Sequence, residues 1–560
     1  MVTFSNIILI LTFSLQVRSI NISGDSLVKE KELRSAMLLK EPRFFLKSKF
    51  HPEVLNGDIE ALRSVYFSYG FLEPKITSNY EVDSAGLVDI NIEIQEGNQI
   101  FVENITFTGN TIYNSDNLKY IIKTKLSLPF NPFTIEEDYI NIINYYDRIG
   151  YHDTRVTSNV DIINGANINY QIDEGEKIYI SEVIPTGAPS INTKCLKIAI
   201  GFQSGTILTN SKIVEARKNL YNLDLFSSIR VREEPNIYGR NVIFVLKQKE
   251  PITISLRFGY SELDRMKVVF IAKHNNLLST LQRMMISGKL SYRELSAELG
   301  YRNPIIFERW VEYGLGFRVE QRREIGFKTR RFGGYITLVP KPFYIQYNAE
   351  YIRIFDVKIV DYISETAEWL RNISLGITLD KRDNPIRPHK GYAVSNHFEI
   401  AGIFPRATSN FIKNEFNIRT FHPLQSSTIG LRFDIGFEKP FKPTEEIPIH
   451  SRFFLGGTTT IRGYRERDIG PKDKEGNPLG GDIYILSSIE SRIPIYKQLS
   501  GVIFIDTGTL EKSINDIEIS PKVGFGLGFR LYTPIGPIRL DFARNLEGSG
   551  MVHFAIGETF

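Results

Sequence analysis

The chain is short of cysteine, of long apolar runs and of net charge, and each shortage removes a class of protein. A single cysteine, Cys195, in 560 residues excludes an internal disulfide framework and any multi-cysteine metal site. Within "NTKCLKIAI" it has no His or Cys at ligand spacing, so a small buried side chain is expected there. The 68 Lys and Arg against 64 Asp and Glu leave a net charge of +4, which makes no case for a nucleic-acid partner without a clustered basic face. No stretch reaches the ~18 uninterrupted apolar residues that a spanning helix requires. The apolar run from Ile7 to Leu15 is too short for that and fits the hydrophobic region of an export signal. No Lys or Arg precedes the run, and no small-residue cleavage box is clear after it. If the mature chain lies in a membrane, it crosses as strands.

What the chain does have is aromatics and glycine: 38 Phe, 27 Tyr and 42 Gly. Hydrophobic residues make up 42% and charged residues 24%, with a mean hydropathy of −0.15. Membrane strands that alternate apolar and polar positions average out to such a modest value. The length argues for more than one domain.

The first half repeats itself. The clearest copy, from about 98 to 175, opens with the alternating strand "ENITFTGNT", in which Gly109-Asn110 forms a turn. A helix over "SDNLKYIIKTKL" follows, with Ser115 or Asp116 as its cap. A second helix, "TIEEDYINIINYYDRIGY", puts Ile140, Ile143 and Tyr146 on one face and stops at Gly150, where a helix end favours a residue tolerant of positive φ. Two strands, "TRVTSNVDI" and "INYQIDEG", close the unit. The same landmarks occur at Gly70, 80 residues before Gly150, and at Gly97, 78 residues before Gly175. A third copy carries "ISEVIPTG", the helix "SKIVEARKNLYNLDLF" and the strands "SIRVREE" and "NVIFVLKQK". Three strand-helix-helix-strand-strand modules are therefore expected over 17–97, 98–175 and 176–250, after a signal at about 1–16.

From Pro251 the texture changes to aromatic-rich segments of period two. Sixteen candidate strands fit between 251 and 560, from "ITISLRFGY" to "MVHFAIGETF", leaving a similar length for connections. An even count permits antiparallel closure. Alternation assigns the faces: Ile538, Leu540 and Phe542 outward with Arg539 and Asp541 off that register; Ile503 and Ile505 outward with Phe504 and Asp506 inward; Ile489 and Ile493 opposite Glu490 and Arg492. Charges are inexpensive only on the wet inner face. Gly524, Gly526 and Gly528 in "VGFGLGF" could pass for a dinucleotide fingerprint, but no helix follows. Spaced by two in a strand, they make room for something packed inside. The last strand carries Phe554 and Ile556 at period two and ends in Phe560, an aromatic last residue that fits an interfacial girdle. The fold class is thus α+β repeats followed by an all-β sixteen-stranded transmembrane barrel.

The longest connection, about 442–482, falls between the eleventh and twelfth strands and holds "RFFLGGTTTIRGYRERDIGP". With the modules, "DKRDNPIRPHKGY" at 380–392, "FIDTG" at 504–508 and the terminal "HFAIGETF", this loop resembles the BamA/TamA superfamily of barrel assembly factors and polypeptide translocators. The modules resemble POTRA domains, which that family places in the periplasm. The resemblance implies that Ile461, Arg462, Gly463 and Tyr464 form a loop tip folded into the lumen, with Arg462 held by Glu490 and Asp506. It implies that Phe554, Ile556 and Phe560 form a C-terminal assembly signal. The charged turn from Asp380 to Gly391 is assigned no chemistry.

The same resemblance implies an outer-membrane factor that inserts or translocates client β-barrel or autotransporter-type polypeptides. The modules would deliver clients, and the first and last strands would form a seam able to part. The modules read equally well as grips for an extended strand or as rigid spacers. Three of them, rather than the five usual in BamA, lean toward the TamA type. The partners implied are unfolded clients, the lipid bilayer and periplasmic or inner-membrane accessory proteins, with no cofactor and no metal. No nucleotide site or nucleophile arrangement points to an enzyme. The alternatives are a two-partner-type secretion pore, which typically has two such modules and a plug helix, and a passive porin, which lacks both modules and loop.

Overall fold

The computed structural model describes residues 15–24, 27–42, 48–307, 309–359, 365–424, 427–513, 520–533 and 536–556. Ile7 and the body of its apolar run, and the terminal Phe560, lie outside them. The chain forms two compact units: 1–184 with 202–215 and 231–243, and 185–201 with 216–230 and 244–560.

The first repeat comprises β1 (Gln16–Gly24), α1 (Glu30–Ala36), α2 (Pro52–Ser68), β2 (Lys75–Val82) and β3 (Leu87–Gln95). The second comprises β4 (Val102–Thr108), α3 (Ser115–Ile121), α4 (Pro132–Asp147), β5 (Arg155–Ile162) and β6 (Ala166–Asp173). The third comprises β7 (Ile180–Thr186), α5 (Thr193–Ile200), α6 (Asn210–Asn222), β8 (Phe226–Asn236) and β9 (Gly239–Gln248). In each three-stranded sheet the last strand lies in the middle, in the orders β1-β3-β2, β4-β6-β5 and β7-β9-β8. The two-helix crossover brings β1 parallel to β3 and β4 parallel to β6, while short turns make β2 and β5 antiparallel to those same strands.

The middle strands carry the cores. On β3, Val88, Ile90, Ile92 and Ile94 are all buried against Leu55, Leu62 and Tyr66 of α2. One backbone device recurs in every repeat. A Cβ on Gly24, Gly109 or Gly187 would lie 1.9, 2.1 or 2.2 Å from the carbonyl oxygen of Ile94, Ile172 or Leu246, and all three glycines have positive φ. Only glycine allows the first strand to approach the middle strand so closely.

Local details correct the sequence reading. The cap of α3 is Asn114, whose side chain accepts from Asn117 N–H, rather than Ser115 or Asp116, which already lie in the helix. On α4 the buried stripe is Ile135, Asp138, Ile142 and Tyr146, and Ile140 is exposed. The stripe turns this way because Asp138 is a core residue: its carboxylate accepts the backbone N–H of Lys123 and Thr124, at 2.5 and 3.3 Å, and the hydroxyl of Tyr170 at 2.7 Å. Asp58 does the same for Leu38 and Leu39 in the first repeat. Cys195 is half-buried rather than buried, because the inward stripe of α5 is Leu196, Ala199 and Ile200 and leaves it on the flank.

Successive repeats join through the glycines that end the helices. Gly70 and Gly150 each accept a backbone hydrogen bond at 2.9 Å, from Ile100 and Ile178. His152 follows the second of these. Its Nδ1 meets Asp147 at 2.7 Å and its Nε2 meets Glu233 at 3.2 Å, while Asp147 also accepts the Asn210 N–H. The hydrogen bond to Glu233 raises the His152 pKa above its ordinary value, with burial opposing and Asp147 adding to the rise.

The barrel wall is one antiparallel sheet of sixteen strands in sequence order. They are β10 (Ile252–Ser261), β11 (Arg265–Leu277), β12 (Gln282–Ser291), β13 (Glu294–Asn303), β14 (Glu312–Glu324), β15 (Phe327–Val339), β16 (Phe343–Phe355) and β17 (Thr366–Asp380). The second half is β18 (Gly391–Ala401), β19 (Phe411–Leu424), β20 (Ser427–Pro440), β21 (Ile483–Tyr496), β22 (Leu499–Glu511), β23 (Lys522–Thr533), β24 (Gly536–Asn545) and β25 (Gly550–Ile556). No described helix is long and apolar enough to cross a membrane. The outer face shows exposed apolar side chains such as Ile254, Leu256, Ile489, Ile503, Ile505, Leu527 and Phe542, whereas Glu490, Phe504, Asp506 and Asp541 are buried inside.

The sheet is nearly closed. Among the described residues no ladder joins β25 to β10, and the two strands meet through side chains. The rings of Tyr260 and Phe554 lie 5.4 Å apart, and His553 Nδ1 is 2.6 Å from Glu262 Oε1.

Candidate functional site

The connection from β20 to β21 packs inside the wall rather than leaving it. Phe453, Leu455, Ile461, Tyr464 and Ile469 form an apolar cluster with Tyr484 and Leu486 of β21 and Leu510 of β22. Tight turning comes from glycine: Gly456, Gly457 and Gly463 have φ of 109°, 94° and 93°. The hydroxyl of Thr460 accepts the Gly456 N–H at 2.8 Å and closes the turn before the tip.

This scaffold sets Arg462 into a fully buried position. Its Nε and Nη2 donate to the two oxygens of Asp506 at 2.7 and 2.8 Å, a planar fork that a point-charge lysine could not reproduce. Its backbone N–H also donates to Asp506, at 3.1 Å. Nη1 donates to Glu490 at 3.0 Å and lies 3.5 Å from Asp541. The guanidinium stacks 3.4 Å above the Phe504 ring. Ile461 and Tyr464 flank it in the apolar cluster.

Sheet register explains how the acids converge. Glu490 on β21 is opposite Phe504 on β22, and Asp506 two residues further along is opposite Gly524 on β23. The inward positions of β23 around them have no side chain. A Cβ on Gly524 would lie 1.7 Å from the Arg462 carbonyl oxygen, and one on Gly528 would lie 2.0 Å from an Asp541 oxygen. The glycine track is the space that the loop tip fills, and it lets Asp541 reach across from β24.

The structure brings together Arg462, Glu490 and Asp506, the three residues singled out for this site, and adds members that the sequence reading had not assigned to it. Arg492 donates to Glu490 at 2.8 Å, and Arg530 donates to Glu490 at 3.3 Å and to both oxygens of Asp541. Arg462, Arg492 and Arg530 thus surround Glu490, Asp506 and Asp541, with Arg539 of β24 also buried close by, and this pairing offsets the cost of burying the charges. Alternation carried the signal for these additions: Asp541 and Arg530 fall on the inward register of their strands. Asn545 and His553 were also missed. Asn545 donates to the Gly463 carbonyl, and His553 Nε2 accepts the Gly463 N–H, both at 3.0 Å.

Further along the loop, Arg467 pairs with Glu324 of β14 at 3.0 Å and stacks on Phe454. The "DKRDNPIRPHKGY" segment forms the β17–β18 turn. Arg382 forks onto Asp380, and Asp383 accepts the N–H of His389 and Lys390. At the C-terminus Phe554 faces outward beside Tyr260 and Ile556 is the last described residue, while Phe560 lies beyond. Among the described residues no group of His, Cys, Asp and Glu is arranged to hold a metal ion.

A nearly closed membrane barrel with an inward loop, preceded by strand-helix-helix-strand-strand repeats, defines an outer-membrane β-barrel protein with a periplasmic POTRA arm. The "Omp85 superfamily domain" model matches residues 276–560, more than half of the chain, and the "surface antigen variable number repeat" model, which describes POTRA domains, matches 15–97 and 100–175. The chain belongs to the Omp85 superfamily. It is 23% identical to the outer membrane protein assembly factor BamA of Neorickettsia risticii, over 95% of this chain and 76% of the relative. It is also 23% identical to that of Nitratidesulfovibrio vulgaris, over 98% and 73%. Among solved structures, BamA of Haemophilus ducreyi lacking POTRA domains 1–3 aligns with a TM-score of 0.62 at 16% identity, over 82% of this chain and 99% of that one.

Proposed function

We propose that this protein assembles other outer-membrane proteins, inserting or translocating client polypeptides at the seam between β10 and β25. The observation that carries the reading is the seam itself. Fifteen neighbouring pairs in the wall are laddered, whereas the described parts of the first and last strands meet by side chains alone. Unpaired N–H and C=O groups on two strand edges are a template for an incoming strand. The modules, bounded at 17–97, 98–175 and 176–250, deliver clients to a barrel that begins at 251. The tip Ile461-Arg462-Gly463-Tyr464, held by Glu490 and Asp506, props the lumen, and Phe554, Ile556 and Phe560 mark the barrel's own C-terminus for assembly. No nucleotide chemistry enters this scheme, and client folding supplies the free energy.

Depletion of the protein in its native host tests the function. A general fall in outer-membrane barrels indicates a central insertase, a fall in a few indicates a specialised TamA-like role, and unchanged levels overturn the proposal. The seam has its own test. Cysteines placed in β10 and β25, with Cys195 replaced, are cross-linked, and full assembly activity in the locked barrel rejects an opening seam.

A further inference from the structure

His553 sits where the loop tip, the last strand and the first hairpin of the barrel meet, and both of its ring nitrogens are committed. The backbone N–H of Gly463, at the loop tip, donates to Nε2 at 3.0 Å. An N–H can only donate, so Nε2 carries the lone pair and the ring proton is on Nδ1. That proton is aimed at Glu262 Oε1, 2.6 Å away in the turn between β10 and β11. The imidazole is fully buried on β25, while Glu262 is partly exposed. Loop tip, last strand and first hairpin are therefore joined in one directional chain: Gly463 N–H to Nε2, then Nδ1–H to the Glu262 carboxylate.

The rest of the Gly463 peptide is held as firmly. Its carbonyl accepts from Asn545 of β24, and a Cβ at this position would meet the Arg544 backbone at 3.0 Å. The loop tip is thus held directly against β24 and β25. At the seam itself a cavity of about 290 Å³ is bounded by Tyr260 and Glu262 of the first hairpin, Thr458 and Glu466 of the loop, and Ala555 of the last strand. Space to move lies along the seam, and the His553 bridge spans it.

We propose that His553 is a positioning residue that couples the seam to the loop: parting β25 from β10 removes the Glu262 contact, and displacing the ring strips the Gly463 N–H of its acceptor. An orphaned buried donor is costly, so the loop tip loosens when the seam parts, and a docked tip holds the seam shut. Arg462 and its carboxylates then provide the rigid anchor, and His553 transmits the state of the seam to it. This inference rests on the opening-seam reading above.

The test uses the full chain in lipid vesicles with Cys195 replaced by serine and no client present. Hydrogen exchange of the peptide covering 458–466 reports the loop tip, and cross-linking between Tyr260→Cys and Phe554→Cys reports the seam. Loss of one hydrogen bond to a buried group predicts about tenfold faster loop-tip exchange in His553→Leu, with a parallel fall in cross-linking. Glu262→Ala, a change in a partly exposed turn that leaves the core intact, should speed loop-tip exchange although Glu262 does not touch Gly463. His553→Gln, which can accept with its oxygen and donate with its nitrogen, should restore both readouts.

The coupling is overturned if Glu262→Ala leaves loop exchange unchanged, if His553→Leu alters the loop without altering the seam, or if His553→Gln behaves as the leucine variant. Because no client is involved, the coupling can fail while assembly function stands. Conversely, a locked seam that still assembles clients rejects the opening-seam reading and leaves a measured coupling intact.

Discussion

The repeats and the barrel bury opposite chemistry. In the first repeat the interior is built on Val88, Ile90, Ile92 and Ile94 against the apolar stripe of a helix. In the barrel the apolar residues Ile503, Ile505 and Leu527 face outward, and the interior holds Arg462, Arg530, Glu490, Asp506 and Asp541 at zero relative exposure. Both interiors contain buried carboxylates, but for different ends. Asp58 and Asp138 are single acids that satisfy backbone N–H groups within a hydrophobic core. The lumenal acids exist to hold guanidinium groups. A hydrophobic repeat core pins helices to a sheet, whereas in the barrel an ionic cluster beside a small apolar one pins a loop inside the wall.

The sharpest way to break that comparison is to remove the central cation. Arg462→Ala leaves Asp506 buried without the guanidinium it grips and takes one of three from Glu490, and should cost about 3–5 kcal/mol of barrel stability, read as a shifted urea midpoint in vesicles. Arg462→Lys keeps charge but loses the fork, so it should recover only part of that loss. A lysine variant equal to wild type would show that net charge rather than geometry holds the tip.

Placing a cation on the other face of the same strand probes the inversion itself. Ile505→Arg, one residue from Asp506, should cost about 2–4 kcal/mol if the residue faces the bilayer midplane. A neutral result in the same vesicle assay would put that face in water and undo the inside-out assignment.

The repeat interior should respond as a hydrogen-bonding core. Asp138→Ala orphans the N–H of Lys123 and Thr124 and the Tyr170 hydroxyl, with an expected loss of about 1–3 kcal/mol. Hydrogen exchange should accelerate at Lys123 and Thr124 while the barrel amides stay protected. Acceleration spreading through the barrel would mean that the two regions do not separate as described.

The smallest effect is a pH dependence confined to the junction of the second and third repeats. His152 has a folded pKa above its ordinary value of ~6.5, so its stabilisation is complete below that value and is lost as pH rises through the raised folded value. Protection of the Asn210 amide, corrected for intrinsic exchange, should fall as pH rises through that raised value. The same fall in His152→Gln would assign the change to another group.

Period-two alternation makes much of this legible in the sequence. It placed Phe504 and Asp506 opposite Ile503 and Ile505, set Glu490 opposite Ile489, and showed that Gly524, Gly526 and Gly528 leave room inside. These inferences depend only on each residue's position relative to its chain neighbours. Helical detail was less legible, because three-residue spacing in α4 admitted Ile140 and Ile143 as well as the stripe that Asp138 selects. The cap at Asn114 was missed by a single residue for a similar reason: Asn, Ser and Asp stand in succession there, and only backbone geometry distinguishes them.

By itself, then, the sequence determined the architecture: strand period, repeat period and the outward or inward sense of the side chains on the strands around Ile489, Ile503 and Ile538, all of which are local properties of the chain. The tertiary structure decided which inward residues meet. Asp541 joins Arg462 across a glycine track on another strand, and His553 lies 90 residues from the Gly463 that it accepts and 291 from Glu262. No local pattern encodes those distances. They follow from barrel curvature and strand register, which bring β25 beside β10 and lay a loop against both.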